Sequence, residues 1–182
     1  MSSNLTNALT PGRYFFAFSP DLHSRMQIQN IMKRLPEDHS IKLQTTANLH
    51  QTLLFLGQLD QQQINNLVKQ TESLRWSAIP MQFDHVSYWA VPKILCLTSR
   101  APSAELFSLV NNLQSIASEA KIKVDEQPYQ PHITLARKVS EAVSVPIAPV
   151  RFKAEELVLM KSVSTEQGPQ YQPMMHWPIT AD

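Results

Sequence analysis

Two short stretches decide how this chain reads: Leu49-His50-Gln51-Thr52-Leu53-Leu54-Phe55-Leu56-Gly57 and Pro131-His132-Ile133-Thr134-Leu135-Ala136-Arg137. Each is an apolar run of strand length holding a histidine and, two residues later, a threonine. Side chains alternate along a strand, so residues i and i+2 share a face. His50 and Thr52 therefore point together, and so do His132 and Thr134. The copies begin at positions 50 and 132, nearly half the chain apart. If the two strands face one another across a cleft, two imidazoles and two hydroxyls converge on one spot.

That set suits phosphodiester chemistry. A neutral imidazole takes a proton from water, and an imidazolium gives one to a departing oxygen. An ordinary histidine populates both forms near neutrality. Threonine hydroxyls donate to the non-bridging oxygens, where charge builds in the transition state. A single His-x-Thr is common in strands and carries little weight; the duplication is what raises it above ordinary core packing. Zinc usually takes three or more protein ligands. No helical His-x-x-x-His or cysteine pair completes such a set, so neither metal nor cofactor is expected.

Outward from the motifs, Arg13–Ser19 (RYFFAFS) reads as a buried strand, with Ser19 and Pro20 as the cap and first residue of a helix bearing Ile28, Ile31, Met32 and Leu35. Asp60 and Gln63 form a capping pair ahead of Ile64, Leu67, Val68 and Thr71 at helical spacing. Met81–Ala90 and Ile94–Ser99 read as two strands of a hairpin around Val91-Pro92-Lys93. Pro102 opens a helix whose Leu106, Leu109, Val110, Leu113, Ile116 and Ala117 follow the 3.6-residue period. Glu156–Val163 and Gln170–Ile179 read as two further strands. The order β-α-β-α-β-β then α-β-β-β indicates an α+β fold with antiparallel or mixed sheets and helices on the outer faces.

The bulk properties fit this reading. The 182 residues, 43% hydrophobic, suit a single domain. Three glycines are too few for a Rossmann or phosphate-loop site. A net charge of +1 is not that of a protein gripping a long nucleic-acid backbone, yet it is compatible with holding one or two nucleotides at an end. The lone cysteine, Cys96, reads as a small buried strand residue. The first eleven residues lack the pattern of a signal peptide, and no apolar run has membrane-spanning length, so a cytoplasmic location with no membrane partner is expected; a monomer is expected as well.

At the two motifs the sequence resembles the 2H phosphoesterase superfamily, and within it the LigT-like RNA 2′,3′-cyclic phosphodiesterases, also called 2′-5′ RNA ligases. RYFFAFSPD resembles that family's opening strand, NLHQTLLFLG and PHITLAR its two motifs, and Tyr171-Gln172-Pro173 with Trp177 its closing strand. The resemblance implies a bilobal fold, residues 1–182 forming two intertwined lobes related by a pseudo-twofold axis, each supplying one His-x-Thr to a central cleft. It implies catalytic His50 and His132, phosphate-binding Thr52 and Thr134, and a substrate contact from Arg137. It also implies hydrolysis of RNA 2′,3′-cyclic phosphate ends to 2′-phosphomonoesters, with weak reversible 2′-5′ ligation.

Strict alternation from His132 sends Arg137 to the opposite face, so its strand must bulge or end for it to reach the substrate. Gln51 departs from the apolar residue usual between the histidine and threonine; facing away from the cleft, it bears on packing. Phe15 and Phe55 are candidate platforms for a base, with core packing the commoner role of such residues. The competing functions are a non-catalytic nucleotide-binding module on the same fold and a 2H enzyme acting on another cyclic phosphate, such as ADP-ribose 1″,2″-cyclic phosphate.

Overall fold

A computed structural model describes residues 9–36, 41–124, 127–166 and 168–180. Strand β1 (Gly12–Phe18) leads into helix α1 (Leu22–Met32), a short strand β2 (Lys42–Leu43), a 3-10 turn (Thr46–Asn48) and strand β3 (Gln51–Leu59). Helix α2 (Gln61–Thr71) is followed by strands β4 (Ile79–Phe83), β5 (His85–Trp89) and β6 (Ile94–Thr98), then helix α3 (Ala104–Glu119). Strands β7 (His132–Arg137), β8 (Val150–Ala154), β9 (Glu156–Thr165) and β10 (Gly168–Pro178) close the chain.

The main sheet runs β10-β9-β1-β3-β7-β6-β5, with β2 added alongside β7 and with β4 and β8 pairing separately. Every strand pairing among the described residues is antiparallel. The architecture is thus the α+β fold expected. Its two halves, β10-β9-β1-β3 and β7-β6-β5, meet where Gln51 pairs with Ile133, the one register pair joining β3 to β7. No further register pair joins these two strands among the described residues. A continuous apolar core reaches from Phe16 and Phe18 on β1 through Leu67 of α2 and Leu113 of α3 to Leu135 on β7.

Local chemistry explains the helices and corrects their starts. The first is capped by Asp21, whose carboxylate accepts from Ser24 N at 2.7 Å, so the cap falls two residues after Ser19. The second carries the expected Asp60–Gln63 capping box. Ser103, not Pro102, caps the third, and its buried stripe is Leu106, Leu109, Val110, Leu113 and Ala117. Among the described residues no helix is long and apolar enough to cross a membrane.

The run 81–90 is two strands rather than one. Asp84 breaks it: its amide bonds Thr98 O at 3.0 Å, and its carboxylate engages His85 at 2.6 Å. The chain before Asp84 pairs with β8 and the chain after it with β6. β2 and β8 carried too little apolar pattern to be read alone; their ladders come from partners far along the chain, Ala136 and Arg137 for β2 and Ile79 to Phe83 for β8.

Candidate functional site

Both motif histidines are held in the same way. His50, at the entry to β3, places Nδ1 2.7 Å from the carbonyl of Asn48. His132, the first residue of β7, places Nδ1 2.9 Å from the carbonyl of Gln130. A carbonyl can only accept, so in each ring Nδ1 carries the proton and Nε2 of the neutral form bears the lone pair. At His50 that nitrogen lies 3.0 Å from the hydroxyl of Thr52, which donates to it. Alternation alone predicted that this pair shares a face; the backbone tether two residues upstream, common to both copies, was not read from the sequence.

Burial sets the charge. It pushes His50 down to about 4; the nearby charges of His132, Arg137 and Arg25 lower it further, while the Asn48 carbonyl opposes them. His132 is lowered chiefly by burial, with the Gln130 carbonyl opposing and Arg137 adding to the effect. The two imidazoles and Arg137 thus share one electrostatic neighbourhood. A stability prediction follows from His50. Below pH 6.5 the unfolded chain protonates this ring while the folded chain does not, so stability should fall between pH 6.5 and about 4 and level off beneath that. The loss should approach about 3 kcal/mol. Thermal melts across that range should show it in the parent and show much less of it in His50→Gln.

Each motif strand carries a bulge immediately after its threonine. Along β1 and β3, Ala17 pairs with Thr52 and Phe16 with Leu54, which leaves Leu53 extra. Along β6 and β7, Cys96 pairs with Thr134 and Leu95 with Ala136, which leaves Leu135 extra. An inserted residue reverses the alternation beyond it. The residues five past each histidine, Phe55 and Arg137, therefore return to the face of the histidine and threonine. Arg137 needed such a bulge to reach the site, and the strand has one.

Aromatic rings brace the histidines. Phe15 lies 5.0 Å and Tyr171 4.8 Å from His50, centroid to centroid, and Trp89 lies 4.5 Å from His132. Phe15 is 3% exposed, enclosed between the rings of His50 and Tyr171, whereas Phe55 is 62% exposed. A cavity of about 660 Å³ opens beside the motifs, with Thr52, Phe55, Trp89, Tyr129 and His132 in its wall. Thr134 sits two residues beyond His132 on β7 and is 8% exposed.

Three contributors escaped sequence reading. Asn48, besides tethering His50, donates its amide to Pro169 O at 2.8 Å and accepts from Tyr171 N at 3.2 Å, locking β10 against the motif. Tyr171 then packs its ring on His50, and Tyr129 hydrogen-bonds Gln51 at 2.8 Å. Asn48 and Tyr171 lie over a hundred residues apart, so no local pattern could link them. The remaining histidines have ordinary roles: His85 bonds Asp84, exposed His176 bonds Glu156 at 2.9 Å, His23 is exposed, and His39 lies outside the described residues. Cys96 is buried, its thiol pushed up to about 12 by burial.

Residues 20–166 match the family described as the 2′-5′ RNA ligase superfamily. The RNA 2′,3′-cyclic phosphodiesterase of Escherichia coli K12 is 28% identical over 172 residues, covering 93% of this chain and 98% of the relative. The enzyme of that name from Archaeoglobus fulgidus is 22% identical over 88% of this chain and 96% of its own. Among solved structures, Escherichia coli LigT complexed with 3′-AMP superposes with a TM-score of 0.87 at 28% identity, over 94% of this chain and 99% of that one.

Proposed function

The chain belongs to the 2′-5′ RNA ligase superfamily, and from that membership and its paired histidines we propose that it hydrolyses 2′,3′-cyclic phosphates at RNA ends to 2′-phosphomonoesters. The observation that carries the reading is the matched pair of imidazoles, each with Nδ1 fixed to a backbone carbonyl and each near enough to the other's surroundings to feel the same arginine. Both come from one chain, so the reaction needs no partner subunit.

His50 is the base in this reading. Burial keeps it neutral, and its Nε2, which accepts from Thr52 at 3.0 Å in the free protein, is freed for a water proton when Thr52 turns its hydroxyl to the phosphate. Water attacks phosphorus, the P–O3′ bond breaks, and His132, protonated once the phosphodiester's negative charge is beside it, gives its proton to O3′. The 2′-oxygen keeps the phosphate. Thr52 and Thr134 donate to the non-bridging oxygens, and Arg137 supplies the cation that holds them. Phe55 offers its exposed ring to a base. With a 5′-hydroxyl in place of water, the same base takes its proton, P–O3′ breaks and the same acid protonates O3′, leaving a 2′-5′ linkage; attack of the 3′-hydroxyl on that linkage reverses the step, which accounts for weak reversible ligation.

The direct test incubates the protein with a 2′,3′-cyclic mononucleotide in excess EDTA and identifies the product by phosphorus NMR. The 2′-monophosphate is expected. Exclusive formation of the 3′-isomer, or no product, overturns the reading.

The pH profile adds a second check. Burial lowers both histidines in the free protein, so the bell of kcat/KM should lie on the acid side of that for two ordinary imidazoles. The bound phosphodiester's charge stabilises imidazolium, so the bell of kcat should lie at higher pH than that of kcat/KM. Coincident bells centred well above neutrality would contradict this electrostatic account.

A further inference from the structure

Gln51 stands between His50 and Thr52, its alternating side chain turned to the far face of β3 and fully enclosed, at 0% exposure. Its amide nitrogen donates to the hydroxyl of Tyr129 at 2.8 Å, and that hydroxyl donates to the carbonyl of Thr52 at 3.2 Å. Tyr129 sits three residues before His132, with its ring packed edge-on against Phe107 of α3 at 5.9 Å. Burial raises the phenol, so it remains a neutral donor. The register pair Gln51–Ile133, which joins β3 to β7, lies at the same place.

Backbone and side-chain ties between the two motif strands therefore meet at Gln51. The amide oxygen of Gln51 is buried without a partner. Enclosing an unpaired acceptor costs stability, so packing alone gives no reason for an amide here, whereas a bridge to Tyr129 does. The ends of the bridge are the residues on either side of the chemistry: Thr52 and its neighbour on one strand, the lead-in to His132 on the other.

We propose that Gln51 and Tyr129 are positioning residues, a hydrogen-bonded clasp that sets the separation of His50 and Thr52 from His132. The proposal rests on the two-histidine reading. Proton transfer at both ends of one phosphodiester requires both Nε2 atoms at contact distance together, and misplacement by about 1 Å can cost on the order of a hundredfold in rate. Both clasp side chains are neutral and offer the phosphate no charge, so their loss should fall more on turnover than on binding.

The test compares Gln51→Leu, Tyr129→Phe and the double variant with the parent and with His50→Ala, using a 2′,3′-cyclic mononucleotide. Each single variant should lower kcat roughly tenfold while KM stays within about twofold, the pattern of a lost transition-state interaction. The double variant removes both side-chain polar groups at once and leaves only the Thr52 carbonyl without its tyrosine donor, so it should melt close to the parent temperature. Its kcat should nevertheless stay roughly tenfold down. That separation of stability from turnover distinguishes positioning from structural support. A double variant with the parent's kcat, beside an inactive His50→Ala, overturns the clasp alone. Parent turnover in His50→Ala overturns the two-histidine reading and the clasp with it.

Discussion

His50→Ala and His132→Ala should each lower hydrolysis of a 2′,3′-cyclic nucleotide by about 10²- to 10⁴-fold, the range of a positioned acid or base. The double variant should be little worse than either single one, because groups that act as one unit are not additive. His50 is buried and tied to Asn48 and Thr52, so its removal also leaves two polar partners unsatisfied and should lower the melting temperature. His50→Gln keeps more of the volume and serves as the control. Two merely structural histidines predict a different pattern, in which activity falls only as far as the folded fraction falls at the assay temperature. A folded His50→Gln, His132→Gln pair that cleaves at near the parent rate would sink the mechanism.

Thr52→Val and Thr134→Val should each slow turnover by about ten- to a thousandfold through loss of a donor to the phosphate oxygens. Valine preserves the shape of these enclosed side chains, so stability should change far less than rate. The two variants should differ in one respect. Thr52 donates to Nε2 of neutral His50 at 3.0 Å and so favours the neutral ring. Without that hydroxyl the His50 pKa should rise, and the acid limb of kcat/KM should move to higher pH. Thr134→Val should leave that limb close to its parent position. Parent rates in both variants would remove the hydroxyls from the phosphate site; an unmoved acid limb in Thr52→Val would detach Thr52 from His50.

Much of the site could be read locally because its chemistry is written locally. His50 with Thr52, and His132 with Thr134, needed only the two-residue repeat of a strand. The capping box of α2 needed Asp60 and Gln63 three residues apart, and the stripe of α3 needed only helical period. Each signal lies within a few residues, where backbone geometry fixes what can meet what.

Partner strands decided the rest. Whether Arg137 faces His132 depends on the extra residue at Leu135, and that bulge exists only against Cys96 and Leu95 of β6. The parallel return of Phe55 depends on the pairing of β3 with β1. The run 81–90 read as one strand because its pattern is continuous, yet Asp84 hands its halves to different sheets. Gln51 read as a packing question and became a hydrogen-bonded bridge because Tyr129, 78 positions away, sits within reach. Side-chain chemistry and short-range backbone periodicity were enough to mark the paired histidines and threonines and the elements that carry them. Long-range packing set the facing of Phe55 and Arg137 and the lowering of both histidines by burial. Those depend on burial and on pairings between residues far apart in the chain, which no local pattern encodes.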